Sequence, residues 1–158
     1  MEGNGRSSSI SRPFSVGRLL FNADDRVADF INDHIGFDFM PEGEFRCVGV
    51  LDVDGFLVSG ACFHNFFGSG SYMSGASSRP RRWATRPALA GIFAYAFKTL
   101  SLQRLTTLVA VDNALAQSWN EKSGFQREGL MRKAGDGGVD LIVYGMLEQE
   151  CRWINGQR

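Results

Sequence analysis

Three strand-like segments follow one another between residues 45 and 76 with only tight turns between them, and this succession constrains the fold most. Phe45 to Val53 is apolar and rich in β-branched residues, Asp54-Gly55 is a strong hairpin signal, and Phe56 to Phe63 returns as the partner strand. Gly68-Ser69-Gly70 then leads into a third segment, Ser71 to Ala76. A chain that opens its sheet with consecutive hairpins is not a regularly alternating, doubly wound nucleotide-binding fold.

The flanking segments complete the pattern. Val16 to Phe21 reads as a short strand. Asn22 is placed to cap a helix whose apolar residues Val27, Phe30, Ile31 and Ile35 share one face, and Gly36 stops it. Thr85 is the expected N-cap of a second helix. Pro87 lies in its first turn, and Leu89, Ile92, Phe93, Ala96, Phe97 and Leu100 recur at helical spacing. Leu105 to Val111 is a strand, Asn113 opens a third helix, and Gly124 suits its left-handed cap. Phe125 to Met131 and Val139 to Leu147 form the last strands, joined at Gly135-Asp136-Gly137-Gly138. The order β-α-β-β-β-α-β-α-β-β describes an α+β chain: one mixed, mostly antiparallel sheet of about seven strands with three helices packed on it. Residues 1–13 show no periodicity and read as a disordered tail, leaving 14–158 as a single domain.

Bulk properties exclude several classes. Seventeen basic residues balance seventeen acidic ones, so no global charge points to nucleic acid or an anionic membrane. No apolar run is long enough to span a bilayer, and the first residues lack a signal-peptide core. Cys47, Cys62 and Cys151 have neither metal-site nor disulfide-framework spacing. The expectation is a cytoplasmic protein with free thiols and no metal.

Chemistry concentrates in two places. Ser78-Arg79-Pro80-Arg81-Arg82-Trp83-Ala84 precedes the second helix, whose N-terminus offers unpaired N–H groups and a partial positive charge to a phosphate. Arg79, Arg81, Arg82 and Arg86 would add charge-assisted bonds; a solvated basic loop accounts for the same residues equally well. The second place is Asn113 to Phe125 followed by Arg127-Glu128-Gly129, which is by itself a capped helix with a glycine stop.

In this order along the chain, the second stretch resembles the N-x-x-A…E-K-x-G-F…E-G signature of the GNAT acetyltransferase superfamily. It most resembles the branch of ribosomal-protein N-terminal acetyltransferases and related prophage-encoded proteins, and Asp140 to Trp153 resembles that branch's final strand. The resemblance covers roughly residues 14–153. It implies the GNAT fold and acetyl transfer from acetyl-coenzyme A, as co-substrate, to an amine-bearing acceptor, with a homodimer left open.

Residue by residue, the resemblance places Arg81, Arg82, Trp83, Ala84, Thr85 and Arg86 on the pyrophosphate loop, with Ala84 and Arg86 at the two positions the family keeps small. Asn113 matches the asparagine beside the pantetheine arm, and Ala116 the small residue against which the coenzyme lies. Asn120 stands where many members carry an acidic tyrosine. The fourth strand, with Ser74 and Ala76, is the one whose backbone polarises the thioester carbonyl. His64 has the right unperturbed pKa for a base, but a partly buried strand-end histidine with a satisfied hydrogen bond is the more economical reading, and a bound water fits best as the immediate base. Tyr72 and Ser74 are candidates for substrate contact or a proton relay, and equally for sheet packing. Asp52, Asp112 and Glu128 read as surface, cap and turn carboxylates. Residues 36–42 and the 135–138 turn would select the acceptor. Two alternatives stand beside an enzyme. One is a non-catalytic acyl-coenzyme A or protein-binding module; the other is a nucleic-acid binder using the arginines and Trp83.

Overall fold

The computed structural model describes residues 16–39, 41–78 and 83–156. The 1–13 tail and the loop arginines Arg79, Arg81 and Arg82 lie outside them. Seven strands form one sheet: β1 (Val16–Leu20), β2 (Phe45–Asp52), β3 (Leu57–Phe67), β4 (Gly70–Ser77), β5 (Arg104–Ala110), β6 (Gln126–Met131) and β7 (Leu141–Leu147). Their order is β1-β2-β3-β4-β5-β7-β6. Every neighbouring pair is antiparallel except β4 with β5, which run parallel. The α-helices are α1 (Asp24–His34), α2 (Arg86–Ala94) and α3 (Ala114–Ser123).

Each element follows from local chemistry, with one correction. Asn22 does not cap α1. It adopts φ 55°, and Ala23 is the N-cap without a side-chain bond. The carboxylate best placed to help, Asp24, instead accepts the Cys47 N–H at 2.7 Å and pins the helix start to β2. Asp24 and Asp25 still put negative charge on the first turn. The other two caps are as expected: Thr85 accepts from the Ala88 N–H and Asn113 from the Ala116 N–H. Gly124 closes α3 at φ 103°. Asp52 builds the β2–β3 turn, its carboxylate accepting from the N–H groups of Asp54 and Phe56.

Two apolar layers cover the sheet. Val27 and Ile31 of α1 pack on Cys47 and Cys62 over one face. Leu89, Ile92 and Phe93 of α2 meet Val48, Phe63, Met73, Leu105 and Tyr144 on the other. Fully burying each such side chain contributes about 1.5–3 kcal/mol. Under α1, Gly49 and Gly60 are directly paired across β2 and β3. A Cβ on Gly60 would come within 2.7 Å of one Val27 methyl, and one on Gly49 within 3.1 Å of the other. Alpha-1 therefore sits closer than side chains at those positions would allow.

Candidate active site

The only parallel pair among the described strands defines the site. Its register runs Gly70↔Arg104, Ser71↔Leu105, Tyr72↔Thr106, and stops there, although β4 continues to Ser77 and β5 to Ala110. Beyond Tyr72 the two strands diverge. Because they run in the same direction, both carboxyl ends point to one edge of the sheet, and each is followed by a capped helix. The N-termini of α2 and α3 therefore lie at the end where the strands separate, an arrangement suited to an anionic ligand.

The backbone of β4 prepares the gap. Ser78 N donates to Val58 O at 3.0 Å, so the even-numbered residues of β4 face β3. Alternation then turns the odd-numbered amides toward β5. Met73 and Gly75 are the first two of these beyond the ladder, and the N–H of Gly75 faces the gap. Its backbone presses so close to β3 that a Cβ would meet the Gly60 carbonyl oxygen at 2.9 Å. Only glycine fits there.

Side chains collect on the α1 face beside the gap. Ser74 pairs directly with Cys62 and shares its face; His64 lies two residues along β3, opposite Tyr72. The Ser74 Oγ and His64 Nε2 are 2.8 Å apart, and His64 Nδ1 lies 3.0 Å from Asn65 Oδ1. Phe39 meets the imidazole edge-on at 5.4 Å and Tyr72 stacks on it at 6.1 Å. The loop after α1 delivers Phe39, held by its N–H bond to Asn32 Oδ1 at 2.7 Å. Burial pushes the His64 pKa below its usual 6.5, and the Asn65 hydrogen bond opposes that shift. The ring is neutral at physiological pH and can accept a proton.

The structure thus brings together His64, Tyr72 and Ser74, with Ala76 further along the same face of β4. Thr85 and Asn113 cap the two helices at the gap, Ala84 and Ala116 are half-buried there, and Arg86 is exposed in the first turn of α2. Two expected coenzyme contacts have other duties. The Trp83 ring is buried and stacks on Trp119 at 6.2 Å, so the ring joins the core. Asn120 is buried too. Its Oδ1 accepts from Thr107 Oγ at 2.5 Å and its Nδ2 donates to Ala116 O at 2.8 Å, tying α3 to β5. Both its polar atoms make hydrogen bonds, and an amide is not acidic, so Asn120 supplies no proton to a leaving thiolate. Glu128 lies within β6, not in a turn; Arg104 grips both its oxygens, at 3.1 and 2.5 Å, and holds its carboxyl below the usual range. Phe39, Asn65 and Thr107 were not legible as partners of these residues, because each contact joins elements whose pairing only the fold reveals.

This sheet, with its single parallel pair separating between two capped helices, is the GNAT fold. It is shared by a Mycobacterium smegmatis RimJ solved with coenzyme A disulfide (18% identity, 68% of this chain and 55% of that one, TM-score 0.58). A ribosomal-protein-S5-alanine acetyltransferase from Vibrio fischeri matches at 14% identity over 89% of this chain and 96% of that one, TM-score 0.65. A variant of the spermidine N-acetyltransferase SpeG from Vibrio cholerae matches at 20% identity over 85% and 78%, TM-score 0.60. The chain spans a little over half the length of the RimJ chain and 64% of that of a further structure described as a probable acetyltransferase. No family model and no curated protein matches the sequence.

Proposed function

We propose that the protein is an N-acetyltransferase that moves an acetyl group from acetyl-coenzyme A to an amine by direct attack. The observation behind this reading is the separation of β4 from β5 after Tyr72, with an unladdered Gly75 N–H in the gap and two capped helix N-termini at its mouth. The coenzyme supplies an activated thioester, with its phosphates toward the α2 N-terminus. The Gly75 N–H polarises the carbonyl, and fixed dipoles of this kind are a large part of catalysis in acyl transfer. An acceptor amine on the α1 face gives its proton through Ser74 to His64 Nε2 and attacks the carbonyl carbon; the thiolate leaves. With Asn120 engaged by Thr107, a water or the incoming ammonium proton quenches the thiolate, a tolerable leaving group since thiol pKa values are roughly 8.5.

The relatives are named for spermidine and for the alanine of a ribosomal protein, so the first acceptors to try are a polyamine and peptide N-termini. Calorimetric binding of acetyl-coenzyme A, measured beside amine-dependent thiol release, tests the reading. Both are expected. Binding without release would favour a non-catalytic acyl-coenzyme A module, which the engaged Asn120 suits. Absence of binding would overturn the proposal.

A further inference from the structure

Asn65 is the least regular residue at the site. It takes φ 50°, a left-handed conformation uncommon outside glycine, and the β3–β4 register shifts between His64 and Phe67. Successive side chains on a regular strand point to opposite faces. The irregularity breaks that rule and lets the Asn65 amide lie beside the ring of its own neighbour, at 3.0 Å from Nδ1.

The chemistry of that bond fixes the next one. An amide oxygen only accepts, so His64 Nδ1 must carry the ring proton. The Nε2 lone pair then faces Ser74, and the Ser74 hydroxyl must donate to it across 2.8 Å. A hydroxyl bonded to a histidine that is itself oriented by a third side chain is the arrangement of an activated nucleophile, and asparagine serves as the third member in some enzymes. The Gly75 N–H follows the serine directly, the position from which the residue after a nucleophile stabilises an oxyanion.

We propose that Ser74, His64 and Asn65 give this site a second activity, hydrolysis of acetyl thioesters and activated acetyl esters through an acetyl-Ser74 intermediate. For acetyl-coenzyme A as donor this rests on the function proposed above; for a simple ester it does not. In the first step the Ser74 proton passes to His64 Nε2 as Oγ bonds to the acetyl carbon. The carbon–sulfur bond breaks and the thiolate takes the proton from Nε2. In the second step water loses a proton to Nε2 and attacks the same carbon; Oγ leaves and recovers its proton. The products are the free thiol and acetate, with no change of oxidation state. Asn65 is a positioning residue, holding the tautomer that leaves Nε2 open.

The test uses 4-nitrophenyl acetate, which needs no coenzyme site. The wild-type protein is expected to give a burst of nitrophenolate and, after acid quench, an acetyl mass increment on the Ser74 peptide. Ser74→Ala should abolish both, with its melting temperature unchanged. His64→Gln should slow acylation about a hundredfold or more. Asn65→Ala should slow it about tenfold and move the acid limb of the pH profile, with Asn65→Asp restoring the rate. Acetyl-coenzyme A affinity measured on the same preparations separates the two proposals. Coenzyme binding without burst or label sinks the nucleophile and leaves the transferase. A burst and label without coenzyme binding sinks the transferase and keeps the nucleophile. Label on any residue but Ser74, or a burst that survives Ser74→Ala, overturns the inference.

Discussion

Two polar constellations flank the gap between β4 and β5, built from similar parts and put to different uses. On the β5 side, the Thr107 hydroxyl and Asn120 amide are buried at 6% and 4% exposure and satisfy each other and the backbone of α3. On the β4 side, Ser74, His64 and Asn65 form an equally continuous chain, but it ends at the surface. Buried polar groups are costly unless paired, so the first set is committed to holding a helix on a sheet. The second set keeps solvent access and a neutral imidazole. Accessibility, more than residue type, separates architecture from chemistry here.

The comparison breaks most visibly at His64. His64→Gln should lower amine acetylation by roughly 10²–10⁴-fold while leaving the melting temperature in place. A loss of stability matching the loss of activity would make His64 structural, like Asn120. Next comes pH. Because burial depresses the His64 pKa below 6.5, and the neutral form is the base, kcat/KM expressed per free-amine form of the acceptor should rise with pH to a plateau, with its midpoint below 6.5. A midpoint above that value would assign the base elsewhere.

Asn120→Ala should show the reverse of His64. It orphans the buried Thr107 hydroxyl and should cost about 1–3 kcal/mol in denaturant unfolding, with turnover reduced by less than about tenfold. A hundredfold fall in kcat in the folded variant would place Asn120 in the chemistry. The smallest effect is expected at Ser71, whose Oγ is the one buried side-chain polar atom among the described residues without a hydrogen-bond partner. Ser71→Ala should stabilise the protein by about 1 kcal/mol, and destabilisation would reveal a partner for that hydroxyl.

The element order was readable from the sequence because hairpin signals, caps and apolar periodicity are local. So were the Thr85 and Asn113 caps and the Gly124 stop. Asn22 misled because it turns left-handed, at φ 55°, so the helix starts one residue later with Ala23 as its N-cap. Trp83 and Asn120 show a related limit. A motif position specifies where a residue sits along a helix or loop, but the partner across the interface decides which way its side chain turns. Trp119 turned toward Trp83 and Phe125, and Thr107 captured Asn120. His64 and Ser74 could be named as candidates separately, yet their hydrogen bond depends on the β3–β4 register, which no single-residue signal encodes.

The tight seat of α1 has a consequence for how this protein can vary. Val27 straddles Gly49 and Gly60, one methyl over each. A side chain gained at Gly60 must be matched by volume lost at position 27, whereas one gained at Gly49 meets Leu57 first, at 2.6 Å, so the four sites form a linked unit of mutational drift. A lineage could enlarge Gly60 only after trimming the helix, and the order of those two steps would matter more than either step alone.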